Sequence, residues 1–212
     1  MFPAQVSAIL ERLEQAGFAA YAVGGCVRDT LLGRVPQDWD VATSARPEQT
    51  AALFAGRSIP TGLQHGTVTV RQEGLSVEVT TFRADGPYSD HRRPDAVYFS
   101  DSLAEDLCRR DLTVNAMAMD RRGVLTDLHG GREDLRRGLL RCVGEPDRRF
   151  DEDALRIMRT LRFASVLGFT VEERTAAALH RCAPLLGSIA AERLLSEMAR
   201  LLCGRYVLPV LL

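Results

Sequence analysis

The chain has 212 residues, 46% of them hydrophobic and 26% charged, with a net charge of −1; it can bury a core of ordinary globular size and carries no global bias toward nucleic acid. No run of eighteen or more apolar residues occurs, which argues against a membrane-spanning helix. The opening Met1-Phe2-Pro3 is no basic stretch leading into an apolar one, so no secretory leader is expected and the cytoplasm is the expected compartment.

Val6, Ile9, Leu10 and Leu13 fall at helical spacing and predict an amphipathic helix over residues 3–16, stopped by Gly17. Residues 20–23 (AYAV) read as a short buried strand ending at Gly24-Gly25, and Val27 to Leu32 as a short helix closed by Gly33. Trp39 to Ala42 is a second strand, and Pro47 starts a helix through Phe54. The runs TVTV and VEVTTF, joined around Glu73-Gly74, predict a β-hairpin over 67–82. Residues 83–98 are polar, with Gly86-Pro87 and Arg93-Pro94, and read as a mobile loop. A helix is expected over 112–118 and a short β-segment ending near Leu128. From Asp151 the pattern turns helical, over 151–167, 172–182 and 190–203, the last carrying Leu194, Leu195, Met198 and Leu201. The division expected is therefore a mixed first half, 1–140, and an all-helical second half, 141–212. The apolar close RYVLPVLL has no helix stop and reads as a cut through a longer protein.

The five cysteines, Cys26, Cys108, Cys142, Cys182 and Cys203, are odd in number and form no CxxC pair. They suggest neither a zinc site nor a disulfide framework, and buried reduced thiols are expected. All 27 basic residues are arginine, so any phosphate contact must use planar, multi-donor guanidinium groups.

Asp38 and Asp40 flank Trp39. Residues i and i+2 of a strand share a face, so both carboxylates project together while Trp39 turns to the core. Such a pair of anionic oxygen donors suits Mg²⁺, which keeps waters and shares phosphate oxygens, and phosphoryl transfer needs ions of that kind. Alone, the pair reads more readily as a solvated strand end, and a second Asp-x-Asp stands at Asp151 and Asp153. Gly24-Gly25, after a strand and before a helix, offers backbone N–H groups to an anion, and Arg28 could close over the phosphates; a tight turn with Arg28 paired to Asp29 or Asp38 is the alternative. Arg109-Arg110-Asp111 could hold a nucleotide, Asp111 accepting from a ribose hydroxyl, or Asp111 could cap a helix beside solvated arginines. Asp153 and Arg156, three apart on the expected helix, put acceptors and donors on one face and suit the Watson–Crick edge of a base. Arg159 and Arg162 continue that stripe, while Leu155, Met158 and Leu161 form the core face. The alternative is that Asp151, Glu152 and Asp153 favour the positive helix terminus, with salt bridges beyond.

Order and spacing say more than any one motif. YAVGGCVRDTLLGRVPQDWDVAT, then TTFR, AEDLCRRDLTVNAMAMD, DLHGGREDL and EDALRIMRTLRFASVLGF follow one another, and the chain resembles the class II nucleotidyltransferase family over about residues 20–203. That family holds the tRNA CCA-adding enzymes and the bacterial poly(A) polymerases. The resemblance implies an α+β nucleotidyltransferase head, a mixed small β-sheet flanked by helices, followed by an all-helical neck. It implies two Mg²⁺ ions held by Asp38 and Asp40, a phosphate-binding turn of Gly24, Gly25 and Arg28, and ribose recognition by Arg110 and Asp111. Asp153 and Arg156 match the protein template that chooses the incoming base, and Arg159 and Arg162 match nucleotide-contacting arginines. The implied reaction adds C and/or A to the tRNA 3′ end from CTP or ATP, so the implied partners are the tRNA 3′ end, ATP and CTP, with no membrane. A poly(A) polymerase is the alternative within the family. A non-catalytic RNA- or nucleotide-binding module is the alternative outside it, and the intact aspartate pair argues against it. The segment Arg83 to Asp95 looks complete, which favours A-adding or CCA-adding over CC-adding. Three departures stand out: Leu128-His129 replaces the family's usual Pro-Phe in the hinge motif Asp127 to Leu135, Ala190-Ala191 precede the Glu-Arg pair of the fifth motif, and the family's body and tail have no counterpart before residue 212.

Overall fold

Apolar residues recurring every three or four positions build the first helix, α1 (Ala4–Gln15), whose Val6, Ile9, Leu10 and Leu13 are all fully buried. The computed structural model describes residues 2–86, 88 and 96–211. After α1 come β1 (Ala20–Val23), α2 (Gly25–Leu31), β2 (Trp39–Thr43) and α3 (Pro47–Leu53). Pro47 opens α3, and the Gln49 side chain accepts from the Arg46 N–H at 2.8 Å, closing the helix start. An edge strand, β3 (Ser58–Gly62), precedes the expected hairpin of β4 (Thr67–Gln72) and β5 (Leu75–Thr81). Its two-residue turn has Glu73 at φ 46° and Gly74 at φ 82°, the left-handed pair that matches the twist of the flanking strands.

β6 (Arg83–Asp85) and β7 (Val97–Phe99) pair antiparallel, so the ends of the segment expected as a loop form a small ribbon. Residues 87 and 89–95, on which the completeness of Arg83 to Asp95 turns, lie outside the described residues. There follow α4 (Leu103–Cys108), β8 (Met117–Met119) and β9 (Leu125–Asp127). Seven strands make one mixed sheet in the order β3-β4-β5-β2-β1-β8-β9, in which β2 and β5 alone run parallel. One face, with Val41, Val68, Val70, Val77 and Val79 buried, packs under α1 and α3. On the other, Val23, Ala42, Ala118, Phe82 and Leu107 form a smaller cluster that anchors α4.

These elements form one compact unit, residues 1–85, 97–110 and 115–129. A second unit, residues 86–96, 111–114 and 130–212, carries α5 (Gly131–Arg137), β10 (Leu139–Leu140), α6 (Pro146–Glu152), α7 (Leu155–Leu167), β11 (Thr170–Val171), α8 (Glu173–Cys182), α9 (Ala191–Leu202) and α10 (Leu208–Leu211). α7 packs on α9 around Ala154, Leu155, Met158, Ile189 and Leu201, and α6 packs on α8.

Three expectations are corrected. The helix over 112–118 is a 3-10 turn, Thr113–Asn115, followed by β8. The backbone there is already taken: Thr113 N–H donates to Arg141 O at 2.9 Å, Val143 N–H to Asp111 O at 3.0 Å, and Leu112 bridges Cys142. The helix over 151–167 is two helices, α6 starting at Pro146 and α7 at Leu155, broken where Asp153 adopts φ −143° and ψ 101°. The cysteines are free thiols, but Cys108 and Cys203 are exposed. Among the described residues no helix is long and apolar enough to cross a membrane.

Candidate active site

The parallel register of β2 and β5 sets Asp40 directly beside Glu78. Trp39 and Val41, 5% and 0% exposed, turn into the core, so strand alternation turns Asp40 to the opposite face. Asp38 lies one residue before β2 and is exposed, and its charge acts on Asp40. Burial, then the charge of Glu78, push the Asp40 carboxyl from 3.8 up to about 6; Arg110 opposes them and Asp38 adds to the rise. Among the described residues no three His, Cys, Asp or Glu side chains form a closed metal cage. Open carboxylates of this kind fit a hard cation that takes its remaining ligands from water and phosphate.

Gly24 precedes α2 at φ 77°, ψ −131°. Its N–H donates to Met117 O at 3.1 Å, so the first donor of the glycine turn is committed to the sheet. A side-chain carbon at Gly24 would lie 2.9 Å from Arg110 Nη1, so the glycine makes room for that guanidinium. Arg28, 8% exposed, donates from Nε and Nη2 to Asp29 (2.9 and 3.0 Å) and from Nη1 to Asn115 Oδ1 (2.7 Å). It ties α2 to the segment before β8, which makes the pairing with Asp29 the arrangement observed.

Arg109 and Arg110 are partly buried and paired. Both bind Asp106, a carboxylate 1% exposed. Together with Asp40, Glu78, His65, Arg83, Thr67 and Thr80 they line a cavity of ≈ 340 Å³. Acidic and guanidinium groups thus face one space, which suits an anion that brings cations with it.

The remaining candidates belong to the second unit. Asp111, 8% exposed, accepts from Leu112 N–H at 2.8 Å and from Nε and Nη2 of Arg159 at 2.8 and 2.7 Å. Asp153 stands outside both helices; its Oδ1 accepts from Leu155 N–H at 3.2 Å and its Oδ2 lies 3.5 Å from Arg193 Nη2. Burial raises its carboxyl above the ordinary value, Arg193 opposing most strongly. Asp153 and Arg156 are therefore not neighbours on one helical face: Arg156, 9% exposed, donates from Nη1 to Glu152 at 2.9 Å and to Arg149 O at 3.2 Å. Arg162 pairs with Glu197 at 2.7 Å and lies 4.2 Å from the Phe163 ring centroid.

Glu78, Asp106, His65 and Arg83 are not among the site residues that the sequence suggests. Glu78 is visible only through strand register. Asp106 carried a signal, the i,i+3 and i,i+4 spacing to Arg109 and Arg110.

Comparison with known proteins agrees with this geometry. The family described as the poly A polymerase head domain matches residues 20–141, and the one described as a probable RNA and SrmB-binding site of polymerase A matches 168–211. The CCA-adding enzyme of Geobacillus kaustophilus is 51% identical over 207 residues, 98% of this chain and 51% of that protein. That of Lactobacillus delbrueckii subsp. bulgaricus is 52% identical over 201 residues, 95% of this chain and 50% of that one. The crystal structure of the Bacillus stearothermophilus CCA-adding enzyme in complex with CTP matches with a TM-score of 0.92 at 47% identity, over 99% of this chain and 51% of that chain. A tRNA nucleotidyltransferase complexed with a primer tRNA and an incoming ATP analog matches with a TM-score of 0.77 at 31% identity, over 96% of this chain and 58% of that chain. The chain spans about half the length of the curated relatives it matches.

Proposed function

The chain belongs to the poly A polymerase head-domain family, and from that premise we propose that it adds C and/or A to the 3′ end of a tRNA from CTP or ATP. The 3′ oxygen attacks the α-phosphorus, a new P–O bond forms, the bond to the bridging oxygen breaks, and pyrophosphate leaves while the hydroxyl proton passes to solvent. The observation that carries the reading is the cavity in which Asp40 and Glu78 face Arg109 and Arg110. The relatives named CCA-adding enzymes support tRNA over a poly(A) product. The cytoplasm is the compartment that such a substrate implies.

Asp38 and Asp40, with Glu78 beside Asp40, would hold two Mg²⁺ ions, which supply neutralisation of the triphosphate and activation of the attacking hydroxyl. Their hard oxygens fit that ion, and a cation relieves the crowding of charge that pushes Asp40 up. Arg109 and Arg110 supply fixed positive charge where negative charge builds on the phosphates, the usual route in phosphoryl transfer. Gly24 and Gly25 hold the turn under the triphosphate, and Arg28 braces it. Asp111 with Arg110 takes the ribose. Asp153 and Arg156 select the base, with Arg159 and Arg162 supporting the nucleotide.

The test supplies tRNA ending before CCA, after C and after CC, with each nucleotide separately, and reads product lengths. Stepwise addition of C, C and A, abolished in Asp40→Ala, is expected. Long tails from ATP alone would favour a poly(A) polymerase, and undiminished turnover in Asp40→Ala would overturn the metal assignment.

A further inference from the structure

We propose that Asp106 is a positioning residue that aims Arg109 and Arg110 into the nucleotide cavity. The inference rests on the nucleotidyltransferase reading and adds to it a residue that touches no substrate. Asp106 Oδ1 accepts from Arg109 Nε at 3.1 Å and Nη2 at 2.7 Å, and Oδ2 accepts from Arg110 Nη2 at 3.0 Å. One carboxylate therefore holds two guanidinium groups, both of which line the cavity. Its own place is fixed by Leu107, fully buried against Val23, Ala42, Phe82 and Ala118. Asp106 is thereby anchored to the sheet that carries Asp40.

The stoichiometry is informative. Two arginines share one aspartate, and both line the same cavity as Asp40 and Glu78. Arg110 also interacts electrostatically with Asp40. Without Asp106, Arg110 is drawn toward Asp40 and Glu78, where it competes with any cation they hold, and Arg109 regains the rotamer freedom that a long side chain must lose again on binding. Asp106 thus keeps the cationic groups apart from the anionic ones in a cavity that needs both.

The test measures CTP and ATP affinity by calorimetry in Mg²⁺, on the whole chain, with thermal unfolding alongside. Asp106→Asn is expected to weaken nucleotide binding about tenfold, the size of a lost hydrogen bond to a charged group. In a background carrying Arg109→Gln and Arg110→Gln, the same change is expected to have less than about a twofold effect, because a positioning residue has nothing left to position. Equal losses in both backgrounds, or wild-type affinity in Asp106→Asn, would overturn the proposal. Should Asp106→Asn not fold, Asp106→Glu keeps the charge and moves the carboxylate by one methylene; several-fold weaker binding supports positioning, and unchanged binding refutes it. A wild-type chain that binds neither nucleotide sinks the nucleotidyltransferase reading itself, a result distinct from any of these.

Discussion

Gly24→Ala tests how closely the glycine turn and the arginine pair depend on each other. The residue sits at φ 77°, ψ −131°, a region that side chains other than glycine occupy at a cost of about 1–3 kcal/mol. The turn has little freedom to relax, since the Gly24 N–H is bonded to Met117 O and its carbonyl accepts from Arg28 N–H, both at 3.1 Å. The new carbon would stand 2.9 Å from Arg110 Nη1, so the guanidinium must swing away and weaken its 3.0 Å bond to Asp106. A hydrogen bond to a charged group contributes about 1.5–3 kcal/mol, and Arg109 still satisfies part of Asp106, so the lower end applies. The two effects together amount to roughly 2.5–4.5 kcal/mol, or about 5–18 °C in melting temperature for a chain of this size. Gly33→Ala is the control: φ is 69°, and nothing lies within 4 Å of the added carbon. It is expected to lower the melting temperature less and to leave CTP affinity intact, whereas Gly24→Ala lowers both. Calorimetric melting and CTP titration of the two variants decide the matter. If Gly24→Ala behaves like Gly33→Ala in both measurements, Arg110 does not depend on the missing side chain and the reasoning fails.

Asp106 makes the fold acid-sensitive. Burial raises its carboxyl, but Arg109 and Arg110 outweigh burial and hold it below 3.8; the stabilisation is complete above the unfolded value and is lost as pH falls through the folded one. Urea unfolding of Asp106→Asn between about pH 5 and 3 is expected to show a shallower acid loss than wild type, and equal slopes would refute this. Asp40 acts in the opposite sense: its carboxyl rises to about 6, so its charge costs stability above that pH and nothing below 3.8, by roughly 3 kcal/mol at most. Asp40→Asn should therefore melt higher than wild type at neutral pH without divalent cation, while losing turnover; a lower melting temperature would contradict the crowding of charge. In the second unit, a carbon added at Gly204 would fall 2.0 Å from Ser165 Oγ and 2.8 Å from the Ser165 backbone. Gly204→Ala is expected to destabilise by about 3 kcal/mol or more through overpacking, and an unchanged melting temperature would count against this close approach.

Most of the first half was legible because its signals are local. Period-two and period-four apolar patterns, Gly17, and the Glu73-Gly74 turn each act within a few residues, and the corresponding elements formed. β3 was not legible: Ser58–Gly62 contains Pro60, is mostly exposed, and shows no alternation because it lies at the sheet edge. α4 has a start that is legible in the sequence, since Ser102 and Glu105 carry the spacing of a helix start, and the Ser102 side chain accepts from Glu105 N–H at 3.4 Å. The 112–118 helix failed for a tertiary reason, since residues 141–143 claim that backbone. The same division holds in the candidate site. Asp40 and the arginines declare themselves by type and spacing, but Glu78 becomes part of the site only when β5 aligns with β2.

Net charge misleads in this chain for a reason that the ion pairs make plain. A chain proposed to hold a nucleoside triphosphate would be expected to be basic, yet the sum is −1. The arginines of interest are each held by an acid: Arg28 by Asp29, Arg109 and Arg110 by Asp106, Arg156 by Glu152, Arg159 by Asp111 and Arg162 by Glu197. Because guanidinium does not lose its proton, such pairs stay charged when buried, and each carboxylate occupies only part of a five-donor fork. The field presented to an anion in the cavity then depends on how Arg109 and Arg110 are oriented there, which a count of charges does not register. That is also why lysine would be a poor replacement at Arg109, whose Nε and Nη2 both bind one oxygen of Asp106: an ammonium offers a point charge where the pairing needs an oriented edge.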